Sequence, residues 1–129
     1  MSKSLSLLSP IERKAVASFV DLLYQRYPEH VLQTALFGSK ARGDSRPWSD
    51  IDILIVVNNE DWRLQHAIST LAARVSLEFD VLIGPRVIGQ ERWERMKQHR
   101  FGLYQNIIAE SVPLAIATEV ATTNLPNTS

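Results

Sequence analysis

"FGSKARGDSRPWSDIDILIVV", residues 37–57, places a loop rich in glycine and basic residues between one apolar segment and an unbroken apolar run. That run, Ile51 to Val57, is rich in β-branched residues and hardly alternates, which predicts a strand covered on both faces. Val31 to Phe37, before the loop, reads as a second short and mostly buried strand. The loop then joins two strands. Side chains two apart in a strand share a face, so Asp50 and Asp52 project together while Ile51 and Ile53 point into the opposite layer.

Working outward, Ser9-Pro10-Ile11-Glu12 offers a cap residue, a proline at the first helical position and a glutamate able to close a capping box. From there Ile11, Ala15, Phe19 and Val16, Val20, Leu23, Tyr27 recur at three- and four-residue steps until Pro28. A helical spacing returns between Asn58 or Asn59 and Val75, through Trp62, Leu64, Ala67, Ile68, Leu71 and Ala72. Leu77 to Ile83 alternates as a third strand closed by Gly84-Pro85, and Gly89 to Glu110 reads as one or two helices, broken near Arg100 to Gly102. The sum is an α/β (α+β) arrangement, a small mixed sheet flanked by helices. Residues 1–116 are expected to form one domain, and 117–129, small, polar and proline-containing, a disordered tail.

Composition limits the functions open to such a domain. In 129 residues, 14 lysines and arginines balance 14 aspartates and glutamates, so no global field favours nucleic acid or an anionic membrane. The absence of cysteine excludes disulfides and thiolate metal sites. No stretch has the length or character of a signal peptide or a bilayer span, and a soluble cytoplasmic protein is expected.

The local basic loop carries the chemistry. Two carboxylates on one face at the mouth of an apolar strand repel each other unless a cation joins them. Magnesium suits such a pair, because it takes hard oxygen ligands from one or two carboxylates, water and substrate phosphates. Gly38 allows a tight turn and close backbone approach, and Ser39 offers a hydroxyl and an amide to phosphate oxygens. Lys40, Arg42 and Arg46 are placed to neutralise a nucleoside triphosphate.

Gly38-Ser39, ten residues, then Asp50-Ile51-Asp52 resembles the signature of the minimal nucleotidyltransferases of the DNA polymerase β superfamily. "GSKARGDSRPWSDIDILIV" is similar to that family's Gly-Ser-x-Ala-Arg-Gly pattern ending in Ser-Asp-Ile-Asp, and the resemblance runs from about Val31 to Pro113. It implies the polymerase β-like nucleotidyltransferase fold, ATP as nucleotide substrate, and magnesium held by Asp50, Asp52 and a third carboxylate on a later strand. Glu78 and Asp80 compete for that third role, and Asp80, between Phe79 and Val81, matches the family pattern better. No added acceptor-binding domain is expected in 129 residues. Stand-alone members of this family resemble antitoxins that silence a HEPN-type ribonuclease toxin by adding AMP to one of its tyrosines. A contact-only antitoxin and a small-molecule nucleotidyltransferase are the alternatives.

His30, His66 and His99 show no ligand-like spacing and read as ordinary surface or packing residues. Trp62 is expected in the core. Trp48, beside Pro47 in the loop, is less easily explained as core, with covering the site or stacking on a base as the lesser reading. Trp93, Met96, Phe101 and Tyr104 are expected in the core or a partner interface. Glu91 to Arg95 reads as a solvated face of paired charges.

Overall fold

The computed structural model describes residues 8–38, 49–99 and 111–114. Helix α1, Pro10–Arg26, starts on the expected capping box: the Ser9 N–H donates to Glu12 Oε1 at 2.8 Å and the Glu12 N–H to Ser9 Oγ at 3.2 Å. Strands β1, Val31–Phe37, and β2, Ile51–Val57, have the boundaries that the apolar runs predict. Helix α2, Trp62–Phe79, strand β3, Ile83–Gly89, helix α3, Gln90–His99, and a two-residue strand β4, Val112–Pro113, complete the described chain. The sheet order is β3-β2-β1-β4, with β2 antiparallel to β1 and parallel to β3, and β1 antiparallel to β4.

The unbroken apolar run of β2 follows from its central position. Ile51, Ile53, Ile55 and Val57 pack with Phe19 and Leu23 of α1 and Ile68, Leu71 and Val75 of α2 on one side. Leu54 and Val56 pack with Ala35, Ile88, Trp93 and Met96 on the other, beneath α3. Trp93 and Met96 are therefore core residues. Phe101 and Tyr104, the break near Arg100, and the tail lie outside the described residues.

Helix α2 departs from the expectation at both ends. Asn58 is spent on the previous hairpin, its N–H donating to the His30 carbonyl at 2.9 Å and its Nδ2 to the Glu29 carbonyl at 2.9 Å. Asp61 caps the helix instead, accepting from the Arg63 N–H at 3.0 Å. Trp62 is 70% exposed rather than core, because Leu64, Ile68, Leu71 and Val75 define the apolar face and the first residue falls off it. The Arg63 guanidinium lies 5.2 Å from its ring centre.

At the other end the expected strand Leu77 to Ile83 is replaced by helix as far as Phe79 and by a strand that begins only at Ile83. Phe79 follows Val75 by four residues and packs against the core, so the helical period continues where alternation also fits. Asp80 ends the helix in the left-handed conformation (φ 56°, ψ 48°), which aspartate tolerates better than most residues. The Val81 N–H returns to the Ser76 carbonyl at 3.0 Å. Ser76 then joins helix to strand: its hydroxyl donates to the Ala72 carbonyl at 2.7 Å and accepts from the Ile83 N–H at 3.0 Å. Gly84-Pro85 does not close the strand but lies inside it. Strand β3 is at the sheet edge, where a proline's missing donor is tolerated.

Candidate active site

Asp50 precedes β2 and Asp52 is its second residue, with buried Ile51 between them pointing into the α1–α2 layer. The Ile51 N–H is held by the Leu82 carbonyl at 2.7 Å, which fixes the start of the strand. Asp52 lies between two strands, opposite Phe37 of β1 and Gly84 of β3. It is half-buried, whereas Asp50 is exposed.

Two glycines shape the space around the pair. Gly38, just after β1, has φ +79°. A Cβ there would overlap the Asp52 carboxylate, standing 3.2 Å from its Cγ. Only glycine satisfies both the backbone angle and the approach. A Cβ at Gly84 would meet Asp52 Oδ1 at 3.5 Å and Asp50 Oδ2 at 3.8 Å, so both carboxylates converge over the same bare patch of β3. Arg86, two residues on and hence on that same face, is exposed, and its side chain makes no hydrogen bond or ion pair with another described residue.

The structure thus brings Asp50 and Asp52 together, as the strand period predicts, and sets Gly38 against Asp52. It does not gather Asp80 with them. Asp80 is exposed at the end of α2, and no group of three potential ligands able to hold a metal exists among the described residues. Asp80 instead lines a cleft with Ser49 and Ile51, the residues on either side of Asp50. Glu78 is an exposed helical residue, not a strand neighbour of Asp80. Ser39, Lys40, Arg42, Arg46 and Trp48 lie outside the described residues. The sequence does carry a signal for Gly84, since a glycine within a strand marks close approach of another group. His30 shares a 3.2 Å hydrogen bond with Asn58 Oδ1, and His66 is exposed on α2. Arg92 pairs with Glu60 at 3.2 Å and Lys97 with Glu94 at 3.5 Å, in keeping with a solvated, charge-paired face on α3.

Residues 16–113 match the profile of the family described as "Nucleotidyltransferase domain". The chain belongs to this family. A Methanocaldococcus jannaschii relative of the nucleotidyltransferase, named "Putative protein adenylyltransferase MJ0604", is 34% identical over 77% of this chain and 93% of its own length. A chain of the crystal structure of the toxin-antitoxin MntA-HpeT is similar with a TM-score of 0.51 at 18% identity, covering 87% of this chain and 89% of that one. A structure described as "putative minimal nucleotidyltransferase" has a TM-score of 0.50 at 21% identity, over 82% of this chain and 97% of its own. These two likenesses are of fold: the nucleotidyltransferase has their α+β architecture, with three helices and a four-stranded mixed sheet among the described residues. No helix among its described residues is long and apolar enough to cross a membrane.

Proposed function

We propose that this nucleotidyltransferase moves AMP from ATP onto a hydroxyl of a partner protein, with Asp50 and Asp52 as the magnesium-binding pair. The observation that carries the reading is the convergence of both carboxylates over Gly84, with Gly38 pressed against one of them. Among the described residues the donors at this point are hard carboxylate oxygens, a set that suits magnesium with water and phosphate oxygens completing its shell. When bound, the metal supplies positive charge to the triphosphate and to the charge that develops on it. The chain's own part is to hold the carboxylates on a rigid strand and to leave glycine backbone where the phosphates must come close. In the transfer, the acceptor oxygen bonds to the α-phosphorus, the bond from that phosphorus to the bridging oxygen breaks, and pyrophosphate leaves. The hydroxyl proton passes to a base. We assign Gly38, Ser39, Lys40, Arg42 and Arg46 to the triphosphate, with Arg86 adding positive charge on the same face as the aspartates.

Asp80 is assigned to the acceptor side, as the acid that receives or orients the hydroxyl proton. Its cleft lies on the other side of the sheet but at the same end, beside Ser49, so an acceptor there would meet the carboxylates around the start of β2. General-base groups contribute about a hundredfold or more. Asp80→Asn is therefore expected to lower transfer about a hundredfold and Glu78→Gln to leave it unchanged, measured as initial rates of label incorporation. Full activity in Asp80→Asn would remove Asp80 from the site.

The name of the Methanocaldococcus relative supports a protein acceptor, and the toxin-antitoxin fold neighbour supports a toxin as that protein. We infer an antitoxin role, with a tyrosine of a HEPN-type ribonuclease as the acceptor and the cytoplasm as the place of action. The test is incubation of the purified chain with magnesium and α-labelled ATP, with and without a lysate of its source organism, beside an Asp50→Ala/Asp52→Ala control. One labelled protein band, lost in the control, is the expected result. Label appearing only in small molecules would overturn the protein acceptor.

A further inference from the structure

At the end of the sheet where β2 begins, the side away from α3 holds a cleft of about 360 Å³ lined by Glu12, Ile51, Leu77, Asp80, Val81 and Leu82, with Ser49 and Ser76 completing it. Large apolar side chains are left in water around it. Leu77 is 84% exposed and Leu82 57%. These are two of the five large apolar residues most exposed among the described residues, the others being Ile11, Leu32 and Trp62. Single exposed leucines need no explanation, but a cluster around a cleft marks a contact surface. Leu77 is not an accident of fraying, because the turn that follows it is tied down by the Ser76 hydroxyl and the Asp80 cap.

The charge around the cleft identifies what would cover it. Glu12 and Asp80 contribute carboxylates to the lining, and no lysine, arginine or histidine lines the cleft among the described residues. Asp80 makes no bond to another described side chain. An apolar floor with an acidic rim is complementary to an amphipathic segment bearing leucine-like side chains and lysine or arginine. The cleft also contains Ser49, adjacent to Asp50, so a chain seated there reaches the mouth of the catalytic strand.

We propose that this apolar, acid-rimmed cleft is the docking site for a cationic amphipathic segment of the acceptor protein. The inference rests on the protein-acceptor reading for its biological partner, but its test needs neither nucleotide nor catalysis. The probe is a fluorescein-labelled 15-residue amphipathic Leu/Lys peptide, with a Leu/Glu peptide of the same pattern as its counterpart, titrated with the full chain and followed by anisotropy. The Leu/Lys peptide is expected to bind and the Leu/Glu peptide not to bind. Leu77→Glu/Leu82→Glu is expected to weaken binding at least tenfold, at unchanged melting temperature, because both side chains are already in water. Asp80→Asn, which removes charge and no apolar area, is expected to weaken it severalfold, while Asp50→Asn/Asp52→Asn binds as the parent does. Equal binding by the Leu77→Glu/Leu82→Glu variant, or equal binding of both peptides, would overturn the proposal. So would a large drop in the melting temperature of that variant, since the leucines would then be covered by the chain itself. A dimer in sedimentation that the same variant converts to a monomer would assign the cleft to a second copy and also overturn it. Failure of transfer with docking intact would instead count against the catalytic reading alone.

Discussion

Asp52→Asn is expected to lower nucleotidyl transfer about a thousandfold while leaving the fold intact. The substitution keeps the shape of the side chain and removes its charge, at the one acid placed between two paired strands. A metal ion's stabilisation of transition-state charge is worth several kcal/mol, and about 4 kcal/mol corresponds to three decades in rate. Asp50→Asn is expected to cost less, about a hundredfold, because Asp50 is exposed and sits before the strand begins, so water can take its place as a ligand. Rates of label transfer would be measured over a magnesium titration, with thermal unfolding in parallel and Mn²⁺ binding followed by electron paramagnetic resonance. Loss of rate and of Mn²⁺ affinity in a protein that still unfolds cooperatively is the signature of a functional carboxylate. An Asp52→Asn protein that transfers normally would end the two-carboxylate reading.

Gly38→Ala should separate catalysis from folding just as clearly. At φ +79° a side chain costs about 1–2 kcal/mol of stability. The new methyl group would also overlap the Asp52 carboxylate. That carboxylate is the far end of a side chain, so the overlap is relieved by displacing it, and the group displaced is the one the reaction needs. Misplacing a reacting or coordinating group by about 1 Å can cost a hundredfold in rate, and a loss of that order is expected at saturating ATP. Gly84→Ala provides the comparison. Its Cβ would stand at ordinary contact distance, 3.5 Å from Asp52 Oδ1, so stability and rate are both expected to change far less. Equal losses at the two glycines would mean that the close approach at Gly38 has no bearing on the chemistry.

The parts of this molecule that follow from short-range rules were legible in the chain itself. Ser9-Pro10-Ile11-Glu12 produced the capping box, and the continuous run Ile51 to Val57 produced a central strand with both faces covered. Asp50 and Asp52 share a face because a strand has a period of two, whereas the contact of Gly38 with Asp52 depends on the β1–β2 register that puts Phe37 opposite Asp52, which no local pattern states. What could not be read was the end of α2. "VSLEFDVLI" satisfies two periods at once, with Val75 and Phe79 four apart and Leu77, Phe79, Val81 and Ile83 two apart. The decision was made by the Ser76 hydroxyl and by the readiness of Asp80 to turn left-handed, neither of which appears in a hydrophobic pattern. Asp80 was consequently expected beside Asp52 and is found at a helix cap. Gly84-Pro85 was misread for a related reason: those residues stop a central strand, yet an edge strand accepts them. Trp62 shows that a tryptophan near a helical stripe belongs to it only if it falls within the stripe's angular width.

The bond from the Ile83 N–H to Ser76 Oγ works as a ruler for the whole site. Because facing repeats every two residues, the place opposite Asp52 can be filled only from the even-numbered series Asp80, Leu82, Gly84 and Arg86. Each choice would give the carboxylates a different neighbour: another acid, a leucine, open space or a cation. By fixing where the strand starts, one serine hydroxyl at a helix end selects open space.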